Sequence, residues 1–178
     1  MRVGRPWRQR TEDLFACEVD YAGKSVLDAG SNVGILAYEI SKRGPAFLHL
    51  IDGSEPQLDA ARLIFNAVET PHRLDLVDLT DAEQLEAVLA PTYDIVQLLA
   101  VYQHIHRASG DEAARSVLAN LAAHCRETFI VASNPAFIPV MAETLRGAEL
   151  TFDRETVSPS PRRVKHLVFR RRSWAMQR

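Results

Sequence analysis

Ser25–Leu36 reads SVLDAGSNVGIL: a short apolar strand, a glycine turn, and the opening of a helix. In an open α/β sheet, ligands bind beyond the carboxyl ends of the strands, where the strand order reverses. A turn of this kind after the first strand lies at that point. Gly30 lets the chain fold sharply at the strand end, Gly34 lets the helix pack closely on the sheet, and both let a ligand approach the backbone. A dinucleotide fingerprint needs glycine at 30 and also where Asn32 and Ile35 stand. Ile35 would crowd the helix start that receives a pyrophosphate, and no glycine-lysine pair of the P-loop type follows. Dinucleotide and P-loop chemistry are therefore disfavoured.

Outward from this turn, short apolar runs alternate with segments of helical period. After SVLDA, the apolar positions Val33, Leu36, Ala37 and Ile40 mark a helix that stops at Gly44-Pro45. AFLHLID is a second strand, 56–68 a second helix, RLDLVD a third strand and DAEQLEAVLA a short helix. YDIVQLLAVY reads as a long fourth strand, DEAARSVLANLAAHC as an amphipathic helix and ETFIVASN as a fifth strand, after which Pro135 blocks ladder pairing. A helix over 137–145 precedes two strand-like runs, ELTFDRETV and RVKHLVFRRR, split by SPSP. The alternation implies βαβ units and a buried parallel sheet, while two strands joined by a tight turn must be antiparallel. The expected fold is α/β: a doubly wound, mostly parallel seven-stranded sheet with a C-terminal antiparallel hairpin and helices on both faces. Residues 1–178 form one domain, with 1–23 as an N-terminal arm.

At 178 residues, with 47% hydrophobic and 25% charged positions, the chain has the make-up of a soluble globular domain rather than a disordered or fibrous one. No apolar run is long enough to span a bilayer, and MRVGRPWRQRTEDL lacks the apolar centre of a signal peptide, so a cytoplasmic location and no membrane partner are expected. Cys17 and Cys125 are isolated in apolar surroundings and read as buried thiols. Net charge is only −2, but Arg2, Arg5, Arg8 and Arg10 crowd one end and Arg162, Arg163, Lys165, Arg170, Arg171, Arg172 and Arg178 the other. If the ends meet, they form a basic face suited to RNA or another anionic substrate.

VLDAGSNVG, with Asp28, Gly30 and Gly34, resembles the first motif of the class I S-adenosylmethionine-dependent methyltransferases. The resemblance runs from about Lys24 to Phe169. HLIDGSE is similar to that family's second motif, where a carboxylate ending strand two holds the ribose hydroxyls; Asp52 takes that place, followed by Gly53. LDLVDLTD is similar to the third, where an acidic residue caps the adenine amino group; Asp78 takes that place, and Leu79 offers backbone and an apolar edge. YDIVQLLAVYQHIH is similar to the strand-four motif, so Leu98 to Ala100, with Leu99 at the centre, would line the methionine portion. The resemblance thus implies S-adenosylmethionine as cofactor, held by Asp28, Gly30, Ser31, Asn32, Gly34, Asp52, Gly53, Asp78, Leu79 and Leu99. Residue chemistry agrees, because a sulfonium, an ammonium, a ribose diol and an adenine amine suit carboxylates and need no phosphate cradle. Asn32 departs from the family's usual glycine, yet asparagine tolerates left-handed backbone angles and its amide can bond the cofactor carboxylate or the loop. A glycine-glycine turn before strand five is also missing.

A general base is needed only when the methyl acceptor must lose a proton. His104, just past strand four, is the candidate, with Tyr102 and His106 as neighbours on a segment expected to be extended. The histidines are otherwise scattered and no ligand spacing completes a metal site, so no metal is expected. SNPAF is like a motif of amino-group methyltransferases, but that motif follows strand four, and the parallel is set aside. The short N-terminal arm and short inserts imply an open acceptor site. That suits either a large partner such as RNA or a small molecule enclosed by a second subunit of a homo-oligomer. The alternative to a methyltransferase acting on an unidentified acceptor is a methyltransferase-like cofactor-binding or scaffolding module without turnover.

Overall fold

The computed structural model describes residues 6–157 and 164–171. Its centre is one seven-stranded sheet in the order β3-β2-β1-β4-β5-β7-β6. The strands are β1 (Ser25–Ala29), β2 (Phe47–Asp52), β3 (His72–Leu76), β4 (Tyr93–Leu99), β5 (Cys125–Ser133), β6 (Leu150–Val157) and β7 (Lys165–Arg171). The first five run parallel, and β7 pairs antiparallel with both β5 and β6. The strand order reverses between β1 and β4, so the turn after β1 opens at the switch point. Every residue of β4 is buried, as a strand covered by helices on both faces requires.

Helices α1 (Trp7–Phe15), α2 (Ile35–Ser41) and α3 (Glu55–Phe65) contribute Leu14, Leu36, Ile40 and Phe65 to the core on one face. On the other, α4 (Ala82–Val88), α5 (Tyr102–Ala123) and α6 (Ile138–Gly147) contribute Leu85, Val117, Leu118, Leu121, Met141 and Leu145. Local chemistry sets the ends. The Asp81 carboxylate caps α4 by accepting from the Glu83 and Gln84 amides, and Pro56 sits in the first turn of α3. Cys17 and Cys125 are buried free thiols.

The architecture expected from the alternation is present, with two corrections. Residues 7–15 of the supposed arm form α1, which packs on α2 and carries Leu14 into the core. Strand four also stops at Leu99, not Tyr102: Ala100 turns left-handed at φ 63°, and helix begins at Tyr102. The β-forming run LLAVY disguised that break. α5 is itself interrupted at Gly110 (φ 89°, ψ 177°), so the amphipathic segment expected over 111–125 is its second part, which ends at Ala123.

The C-terminal hairpin is tied to the rest by Arg171. Its guanidinium donates to the carbonyls of Ala122 (2.5 Å), Cys125 (2.6 Å) and Ala148 (2.7 Å). Arg170 bonds the Thr128 hydroxyl and Asp153, and Lys165 pairs with Glu155. Each of these three cations is engaged by neighbouring groups of the fold, Lys165 at its surface. Arg2, Arg5, Arg162, Arg163, Arg172, Arg178 and the SPSP turn lie outside the described residues.

Candidate functional site

A cleft of about 870 Å³ lies beyond the carboxyl ends of β1, β2 and β4. The turn after β1 forms its floor. Gly30 and Ser31 both donate their amides to the Ile51 carbonyl (2.8 and 3.1 Å), which docks the turn on the end of β2. Gly30 (φ 76°), Asn32 (φ 55°) and Gly34 (φ 73°) are all left-handed, so asparagine does adopt the angle that its position demands. A Cβ on Gly30 would stand 2.3 Å from Cγ2 of Val101, closing the junction between turn and α5. A Cβ on Gly34 would press on Phe65, Ala61 and Leu50 at 3.1–3.2 Å, so that glycine serves helix packing rather than the cleft.

Asp52 lines the cleft, and its two carboxylate oxygens accept from the amides of Asn32 (2.8 Å) and Ser54 (3.0 Å). A carboxylate oxygen has two acceptor positions, so capacity for a diol remains. Gly53, Leu79 and Leu99 line the same cleft. Asp78 stands beside it, exposed, with one oxygen taking both the amide (2.9 Å) and the hydroxyl (2.8 Å) of Thr80. Those bonds hold its carboxyl below the usual range. Ser31 is buried and belongs to a small pocket that it shares with Trp7, Arg10 and Asn32.

Beneath the turn, Asp28 is buried on β1 opposite Gln97 of β4. Burial pushes its carboxyl up to about 6; the Gln97 amide and the Arg10 guanidinium act against this, and the Asp52 carboxylate adds to it. Among the described residues, the wholly buried Gln97 faces Asp28 without a bond of ordinary hydrogen-bond geometry, and the Tyr21 and Ser31 hydroxyls have no hydrogen-bond partner. Orphaned groups this deep call for water or a polar ligand.

Arg10 reaches the cleft from α1, half-buried, its charge felt by Asp28 but with no hydrogen-bonded carboxylate among the described residues. It was hidden in the basic N-terminal cluster, although Trp7, Thr11, Leu14 and Phe15 already had the spacing of a packed helix. His104, exposed on the first turn of α5, lines the far end of the cleft with Gln103, Asn134 and Val164. The Gln103 side chain donates to the Ala100 carbonyl and accepts from the Ser133 hydroxyl, both at 2.8 Å, clamping the ends of β4 and β5 together. His106 is not presented with His104, because both lie on helix rather than extended chain. It packs against Phe137 at 4.9 Å and lies 3.9 Å from Asp111. Arg10, Gln103 and Asn134 line the cleft but were not singled out in the sequence, Asn134 because the SNPAF segment that holds it was set aside. Among the described residues no cluster of three or more His, Cys, Asp or Glu side chains could hold a metal ion.

Solved structures with this architecture include magnesium protoporphyrin IX methyltransferase from Synechocystis PCC 6803 with bound SAM. Its TM-score is 0.75 at 20% identity, over 93% of this chain and 80% of that one. N-methyltransferase NodS from Bradyrhizobium japonicum WM9, in complex with S-adenosyl-L-homocysteine, superposes with TM-score 0.78 at 13% identity, over 94% and 88%. The chain has the class I methyltransferase fold. In sequence, this methyltransferase-like chain is 41% identical over 83 residues to the ubiquinone biosynthesis O-methyltransferase of Aliivibrio fischeri ES114. It is 33% identical over 97 residues to that of Neisseria meningitidis Z2491. These matches cover 47% and 52% of the chain but only 34% and 38% of the relatives, so the chain spans about a third of their length. No family model matches. No helix among the described residues is long and apolar enough to cross a membrane.

Proposed function

We propose that this chain binds S-adenosylmethionine in the cleft and transfers its methyl group to a hydroxyl of a small organic acceptor. The observation that carries the reading is the placement, across one cleft, of a turn-anchored Asp52 and the Arg10 guanidinium, which has no hydrogen-bonded carboxylate among the described residues. Asp52 has acceptor positions left for a ribose diol, and Gly53 and Leu79 flank an adenine. Arg10 supplies the counter-charge for an amino-acid carboxylate, and buried Asp28 with the side-chain oxygen of Gln97 suits an ammonium. When bound, the cofactor supplies a methyl group already activated on a sulfonium. The protein's part is then to position an acceptor and, for a hydroxyl, to take its proton. His104 is placed for that proton, with Gln103 and Asn134 as polar walls. Likeness to O-methyltransferases over half of the chain supports a hydroxyl acceptor. The engagement of Lys165, Arg170 and Arg171 within the hairpin favours a small acceptor over RNA.

Titration calorimetry with adenosylhomocysteine tests the cofactor site. Wild type should bind, and Asp52→Asn and Arg10→Ala should each bind roughly 10- to 100-fold more weakly, the loss of one charge-assisted contact. An absence of binding, or unchanged affinity in both variants, sinks the reading. Labelled methyl transfer to a panel of phenols then tests the reaction. His104→Ala should lower kcat by roughly 10²–10⁴ with adenosylhomocysteine affinity retained.

A further inference from the structure

β6, with sequence LTFDRETV, is the outer strand of the sheet, and its outer backbone edge pairs with no described strand. Phe152 and Val157 expose 53% and 54% of their surface there. An edge of this length is a template for another strand unless something blunts it. The pairing of β6 with β7 slips by one residue between Phe152 and Arg154. Before the slip, Leu150 and Phe152 lie on the face of Phe169, whose ring meets Phe152 at 5.9 Å. After it, Glu155 and Val157 share that face, opposite Leu167 and Lys165. Thr151, Arg154 and Thr156 lie on the other face, where Thr156 approaches the sulfur of Cys17 at 3.5 Å, and Asp153 bonds Arg170 there at 3.2 Å.

This slip makes the strand complementary to itself. A two-fold axis normal to the sheet, between Asp153 and Arg154, sets Leu150 opposite the partner's Val157 and Thr151 opposite the partner's Thr156. Phe152 then faces the partner's Glu155, and Asp153 the partner's Arg154. Each pair shares a face. In an uninterrupted strand the same register would oppose residues from different faces and could not form. Centring the axis on Asp153 or Arg154 instead would set Leu150 against Thr156, or Thr151 against Val157, across faces. We propose that a second copy of this chain pairs antiparallel along β6 in this register, continuing the sheet through both protomers. The register joins two opposite-charge pairs, two Thr–Thr pairs and two Leu–Val pairs, each a favourable cross-strand contact.

Sedimentation equilibrium of the full chain across micromolar concentrations tests this. Wild type should dimerise. Asp153→Arg and Arg154→Asp should each weaken the dimer by about tenfold or more, because like charges then oppose twice. The double variant D153R/R154D should dimerise again, and the two single variants, mixed, should form the heterodimer only. Restoration in the swap excludes misfolding as the cause of loss. A monomeric wild type, a dimer indifferent to both single variants, or a swap that fails to restore association overturns the proposal.

Discussion

At Asn32 the backbone sits at φ 55°, and its amide is bound by Asp52. Asparagine is there because it accepts the angle, so Asn32→Gly should leave stability within about 1 kcal/mol of wild type. Asn32→Val, β-branched at a left-handed position, should lower it by about 1–3 kcal/mol, read from the midpoint of urea unfolding. Asp28 gives a pH signature. Its folded value, raised to about 6 by burial, lies above the ordinary 3.8, so between the two the folded chain holds a proton that the unfolded chain has lost. Stability from this group therefore falls as pH rises from about 4 to 6, by about 3 kcal/mol at most. Asp28→Asn should match wild type near pH 4 and exceed it by up to that amount at neutral pH, in thermal melts across the range. A constant difference between the two would refute the assignment.

Elements show where local pattern misleads. The glycine turn, β1, β2 and the hairpin follow directly from apolar alternation and turn residues. The junction of β4 and α5 does not, because Val101 and Tyr102 have strand-forming side chains while the backbone break comes at Ala100, a residue with no turn signature. That junction matters most for the cleft, since it carries Gln103 and His104. Further along, Gly110 lets the front of α5 face the cleft while the rear buries Val117, Leu118 and Leu121. Nothing lies within 4 Å of a Cβ built there, so a larger residue meets no neighbour. Gly110→Ala should still cost about 1–3 kcal/mol, purely from backbone conformation, measured by chemical denaturation. No loss would show that the break does not depend on glycine.

Over the whole molecule, one side chain joins three regions that no periodicity connects. Arg171 gathers carbonyls from the end of α5, the start of β5 and the end of α6. Arg171→Ala removes these charge-assisted bonds to part-buried carbonyls and should destabilise the chain by about 2–4 kcal/mol; Arg171→Lys, without the planar fork, should recover only part of it by the same denaturant midpoint. A basic run at a chain end reads in sequence as solvated charge, and only tertiary contact shows it to be a tie. The same limit hid Arg10: one-dimensional pattern shows that α1 is amphipathic but not that its polar side overhangs the turn after β1. The parallel sheet and its antiparallel end were legible because alternation and turn length dictate them; the wall of the cleft was not, because it comes from segments distant in sequence.

The bonds from Asp52 to the Asn32 and Ser54 amides carry a kinetic consequence. The carboxylate that would meet a ribose already holds the loop in its final shape, so association need not wait for a loop to order. Capture is then governed by encounter at an open mouth, and the lifetime of the complex by how fast its contacts break.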